Sequence, residues 1–126
     1  MPNICVISIN VTNIEQAKEF YCEKLGFEIS KEYSDCIVGL KHNGVPIILN
    51  KVEKIANVNY PEQAQVVLGI ETDNLIKTIA SYKEKGIEMI YDTPQKCPPG
   101  HFSACKDPFG NVIELLEFSK EEVMQS

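Results

Sequence analysis

Cys97, His101 and Cys105 stand four residues apart near the end of the chain, and thiolate and imidazole are the donors that hold zinc. If residues 101–105 form a strand, alternation puts His101, Ser103 and Cys105 on one face and Phe102 and Ala104 on the other. Cys5, Cys22 and Cys36 complete an odd set of five cysteines with no C-x-x-C pair. That pattern argues against a disulfide framework or zinc ribbon and for reduced thiols in the cytoplasm, two or three of them filling the core. The only other histidine, His42, precedes Asn43-Gly44 and reads as a solvated turn residue. Asp107 and Asn111 have the side chains for catalysis, but Asp-Pro-Phe-Gly-Asn is better explained as a turn. There Asp accepts backbone hydrogen bonds, Pro fixes φ and Gly supplies positive φ.

Charge narrows the chemistry further. The 126 residues include 18 acidic side chains against 12 basic ones, all lysine, for a net charge of −6. An acidic chain lacks the clustered basic surface that nucleic acid requires. Without arginine there is no bidentate clamp for carboxylate or phosphate, and lysine serves only as a point charge. Hydrophobic residues at 44% and charged residues at 24% describe a globular chain, long enough for one domain with its own core. No apolar run reaches the roughly 18 residues of a membrane span. The opening MPNICVISINVTN lacks a basic n-region and reads as a strand rather than a signal peptide.

The elements that would position these residues occur twice. Ile4 to Val11 is a β-branched strand, Thr12 and Asn13 offer caps, and Ile14 to Leu25 carries apolar residues at helical spacing up to Gly26. Strands follow from Phe27, over Cys36 to Leu40, and over Val45 to Leu49, with Asn43-Gly44 predicting a two-residue hairpin turn. Pro46 predicts an edge or bulged position for the last of them. After a polar linker the order restarts: strand Gln65 to Ile70, cap Thr72-Asp73, helix Leu75 to Lys85, stop Gly86, strand Ile87 to Ile90. Thr12-Asn13 maps on Thr72-Asp73 and Gly26 on Gly86 at a spacing of 60, while Gly44 with VPIIL maps on Gly110 with NVIELL at 66. The reading is α+β: two tandem βαβββ modules in one domain, over 1–52 and 64–118, joined by a linker 53–63 and followed by a tail 119–126. The longer loop from Tyr91 to Gly100, with Pro94, Pro98 and Pro99, is either a lid or a stiffened spacer.

VTNIEQAKEFYCEKLGF (11–27) and DPFGNVIELLE (107–117) together resemble the vicinal oxygen chelate family, the glyoxalase, bleomycin-resistance and extradiol-dioxygenase group. The resemblance covers nearly the whole chain. It implies a cupped mixed sheet made by the two modules and a homodimer, and it leaves function open among lyases, dioxygenases and drug binders. Metal enzymes of the family place one ligand on each of four strands. Those positions fall here on Val6, Val66 or Val67, Ile48 and Glu114. Three are apolar, and a catalytic divalent ion needs about three protein ligands, so the expectation is no metal and no other cofactor. In the family the position of Ala104 looks into the cup, so His101 and Cys105 face away from it. Glu71 either lines the rim or is a solvated strand end.

Glu114 is the residue that the resemblance singles out. In an apolar cup with Val6, Ile48, Val67 and Phe102, desolvation should raise its pKa. It is then a general acid or base, an anchor for a cationic ligand, or a retained residue without a role. Ser8, on the face of Val6, adds a neutral hydrogen-bonding group. Two functions follow. One is a metal-independent binder of a small neutral or cationic ligand, resembling the bleomycin-resistance branch, with Val6, Ser8, Ile48, Val67, Phe102 and Ala104 as lining. The other is a metal-dependent lyase or isomerase resembling lactoylglutathione lyase and acting on a small carbonyl adduct, with Glu114 as its catalytic residue. The binder is preferred. A dimerisation module without a ligand is the third, plainest outcome.

Overall fold

Asn13 and Asn74 begin the two helices in the same way. Each has an extended backbone, and its side-chain oxygen accepts from the N–H three residues on, Gln16 or Lys77. The computed structural model describes residues 1–119. They fall into two compact units that divide between Asn57 and Val58.

In the first unit, β1 (Ile7–Val11) leads into α1 (Ile14–Lys18), which continues as a π-helical turn over Glu19–Lys24. The Leu25 N–H donates to the Phe20 carbonyl, five residues back. This wider turn lets the consecutive rings of Phe20 and Tyr21 both be buried, packed edge to face at 4.9 Å. Gly26, at φ +93°, ends the helix. Then come β2 (Ile29–Ser34), β3 (Ile37–Leu40) and β4 (Ile47–Lys51), in the sheet order β1-β4-β3-β2. The β1–β4 pair is parallel and the others antiparallel. Buried Ile9, Val11, Ile47 and Leu49 alternate with the more exposed Ser8, Asn10, Ile48 and Asn50, which form the opposite face.

Two local expectations need correction here. Leu40 pairs with Ile47, so six residues make the β3–β4 turn, and neither Asn43 nor Gly44 adopts the positive φ of a two-residue hairpin. Pro46 lies just before β4 and costs the ladder nothing. Its carbonyl accepts from the Ile7 N–H, and β4 is an interior strand.

The second unit holds β5 (Leu68–Glu71), α2 (Leu75–Glu84), β6 (Glu88–Met89), β7 (Gln95–Cys97), β8 (Gly100–Lys106) and β9 (Val112–Phe118). Its sheet runs β5-β9-β8-β6, with β7 also pairing β8, and β5–β9 is the parallel pair. Leu75 and Ile79 of α2 pack on Leu115, with Ile70, Tyr82 and Met89 around them. Ile76, beside Leu75 in the sequence, turns away from this face and is exposed. The Asn74 cap puts the helix starts 61 residues apart, one more than the Thr72-Asp73 match. The Glu117 side chain adds a second cap by accepting from the Leu75 N–H at 2.8 Å. The proline-rich stretch is neither plain lid nor spacer, because β7 and the Pro98-Pro99 turn make a hairpin onto β8. Ser119 closes the described chain by donating its N–H to the Pro99 carbonyl. The rest of the expected tail lies outside the described residues.

Candidate functional site

Glu114 sits at the middle of β9, and its ladder neighbours are two of the smallest residues available. Ala104 of β8 is its partner on one side and Gly69 of β5 on the other. Alternation sends Ile113 and Leu115 to the helix side, where both are buried, and leaves Glu114 and Leu116 on the opposite face. Phe102 pairs with Leu116 and so shares that face with Ala104. Cys105 is sealed on the other face, where burial, and then the nearby Asp107, push its thiol up to about 12. A thiol held protonated in this way is a core filler rather than a ligand.

The carboxylate is not alone. The Tyr60 hydroxyl donates to Glu114 Oε2 at 2.5 Å, across 54 residues of sequence. Burial, reinforced by this hydrogen bond and by the charge of Glu114, raises the Tyr60 phenol above its ordinary value and keeps it a neutral donor. The ring is held from both sides of the chain. Asn59 and Gln63 close a turn on each other: the Asn59 N–H donates to Gln63 Oε1, and the Gln63 and Ala64 N–H groups donate to the Asn59 carbonyl. Tyr60 then packs edge to face on Tyr91 at 6.2 Å, and Tyr91 on Phe102 at 5.5 Å. The Ser103 hydroxyl fixes Tyr91 by donating to its carbonyl at 2.7 Å.

Tyr60 went unrecognised in the sequence, because it stands in a polar segment read as linker. A single aromatic residue before a proline there is the only signal it gives. Val67, two residues before Gly69, is half-buried, whereas its register alternative Val66 is 87% exposed. Val6, Ser8 and Ile48 belong to the first unit. Ser8 is the ladder partner of Ile48, and Val6 precedes β1 and is exposed. The four positions of the family's metal site thus offer one carboxylate and three aliphatic side chains. Valine and isoleucine have no donor atoms, so this set does not fit a divalent ion. Among the described residues no three His, Cys, Asp or Glu side chains come together as a metal-binding group. His42 Nδ1 lies 3.0 Å from the Val45 carbonyl within its own turn.

The first unit also carries a hollow of about 650 Å³ beside the start of α1, between Glu15 and Lys18 on one side and Glu32 and Asp35 on the other. It is roomy but its charges answer each other, since Lys18 pairs with both Glu15 and Glu32. We therefore take the Glu114 face, where an acid stands among small and aromatic residues, as the candidate site.

Two units of βαβββ type with a parallel outer pair and this closing strand define the paired-module α+β class. The sequence profile of the Glyoxalase/Bleomycin resistance protein/Dioxygenase superfamily matches residues 3–115, and the chain belongs to that superfamily. The Bacillus subtilis (strain 168) protein YetH, uncharacterized, is 26% identical over 121 residues, which are 90% of this chain and 97% of YetH. A glyoxalase family protein from Enterococcus faecalis superposes with a TM-score of 0.75 at 24% identity, covering 91% of this chain and 97% of that one. TnmS3, an antibiotic binding protein from Streptomyces sp. CB03234, does so with 0.71 at 24%, covering 94% and 98%. At these identities the structural likenesses establish the fold. No helix among the described residues is long and apolar enough to cross a membrane.

Proposed function

We propose that this chain is a metal-independent binder of a small neutral or cationic ligand, bleomycin-resistance-like, with Glu114 as the anchor. One observation carries the reading: a carboxylate flanked by Ala104 and Gly69, with an aromatic row of Tyr60, Tyr91 and Phe102 beside it. Ring edges and faces take up the flat part of a ligand, while the carboxylate accepts from its donor. TnmS3 supports the reading as an antibiotic binding protein of the same fold. A lyase of the lactoylglutathione type would need donors where this chain has Val6, Ile48 and Val67. The proposal includes a cytoplasmic setting, which suits five free cysteines, and a homodimer, which the family resemblance suggests.

The test is a titration of chelator-treated protein with benzylamine, a small aromatic cation, followed by amide NMR. Shifts are expected at Ala104, Glu114 and Leu116. Glu114→Gln should weaken binding roughly 10- to 100-fold, the value of one hydrogen bond to a charged group. Equal affinity in the variant would remove Glu114 from the account.

A further inference from the structure

We infer that Tyr60 sets the head-group specificity of the Glu114 site, restricting it to ligands that present a single donor, such as an ammonium, and turning away planar forks such as an amidinium. This rests on the binding role proposed for Glu114. The geometry is asymmetric at the carboxylate. Oε2 accepts from the Tyr60 hydroxyl at 2.5 Å. Oε1 has no hydrogen-bond donor among the described residues, and it is not a buried, unsatisfied atom, so solvent reaches it. Among the described residues no ion pair engages Glu114 either.

A guanidinium or amidinium gains its strength by placing two parallel N–H groups on the two oxygens at once. A phenol already donating to Oε2 crowds that oxygen and draws on its charge, so the second arm of the fork is weakened. A primary or secondary ammonium needs only Oε1, and Tyr60 leaves that oxygen open. The phenol is no loose competitor for the site. The Asn59–Gln63 turn fixes its backbone, the Tyr91 ring fixes its side chain, and it stays protonated well into alkaline solution. Tyr60 is thus a built-in donor that engages one of the two carboxylate oxygens before any ligand arrives.

Benzylamine and benzamidine test this, because they share a ring and differ in the head group. Dissociation constants for both are measured by amide NMR on wild type, Tyr60→Phe and Glu114→Gln. Tyr60→Phe keeps the ring against Tyr91 and removes only the hydroxyl. Wild type should favour benzylamine, and Tyr60→Phe should shift the ratio about tenfold toward benzamidine, one charge-assisted hydrogen bond. Glu114→Gln should weaken both roughly 10- to 100-fold. If Tyr60→Phe leaves the ratio where it was while Glu114→Gln still weakens binding by that much, the specificity role is wrong and the anchor role stands. If neither probe shifts the Glu114 face in any form, or Glu114→Gln binds both as wild type does, the anchor role fails and the inference with it.

Discussion

Replacing Asp107 by alanine should unfold the chain more readily than any other single change in the β8–β9 turn. Oδ1 of Asp107 accepts from the Phe109 and Asn111 backbone N–H groups, both at 2.8 Å, and Oδ2 accepts from Asn111 Nδ2 at 2.7 Å. Asp107 is 5% exposed and Phe109 is buried, so the Phe109 donor has little access to water once its acceptor is gone. A hydrogen bond to a charged group contributes about 1.5–3 kcal/mol, and a stranded buried donor costs about 1–3. Three bonds to one side chain are not additive, so the alanine variant should lose about 3–4 kcal/mol. Asparagine keeps the oxygen that serves the two backbone donors and gives up the bond from Asn111 Nδ2, which a flip of the Asn111 amide can restore. Its cost should be about 1 kcal/mol. Urea unfolding followed by circular dichroism reads the difference: with a slope near 1.5 kcal/mol/M, Asp107→Ala should lower the midpoint by about 2–2.7 M. Equal losses for the two variants, or a loss below about 1 kcal/mol for alanine, would refute the account of this turn. So would a stable Asp107→Ala protein that no longer binds benzylamine, since that would make Asp107 part of the site.

Other changes act elsewhere in the second unit. Gly100, at φ +156°, has no room for a side chain: a Cβ there would collide with the Glu117 carbonyl oxygen and come within 2.8 Å of the Ser119 nitrogen. Gly100→Ala should cost at least about 2 kcal/mol, which a thermal melt would show as a fall in Tm of roughly 6–10 °C. Glu117→Ala removes the acceptor for the Leu75 N–H, and a loss of about 1 kcal/mol with faster exchange of the Leu75 amide is expected, glutamine being milder. Alkali should destabilise the protein through Cys105 and Tyr82, whose burial first, then Asp107 and Cys105 respectively, push each up to about 12 from ordinary values of 9.0 and 10.0. The unfolded chain ionises first, so stability holds below pH 9 and declines as pH rises toward 12. Cys105→Ala should remove the part of that decline that begins near pH 9, a slope of about 1.4 kcal/mol per pH unit.

Much of this arrangement is legible in the chain, for reasons that differ by element. The helix stops are plain because Gly26 and Gly86 both need positive φ, and the closing turn is plain because Asp107, Gly110 and Asn111 each have a distinct backbone task. The Glu114 strand is plain because Gly110 with NVIELL repeats Gly44 with VPIIL at a spacing of 66. What stays hidden depends on distant contacts. Asn43-Gly44 has the residues of a tight turn, but the β3–β4 register places six residues there and relieves them of positive φ. Gln95-Lys96-Cys97 has no strand pattern, and β8 supplies its ladder. Tyr60 matters through a partner 54 residues away, and no local period could announce it.

The central claim is that Glu114, beside the Tyr60, Tyr91 and Phe102 rings, serves a ligand directly, without a metal. Calorimetric titration of chelator-treated protein with zinc, nickel and manganese in turn, with hemithioacetal isomerisation assayed on the same samples, tests it most directly. The account predicts no stoichiometric heat at micromolar metal and no turnover restored by any of the three. Stoichiometric binding at micromolar or tighter affinity that Glu114→Gln abolishes, or activity that returns with the metal, would contradict it.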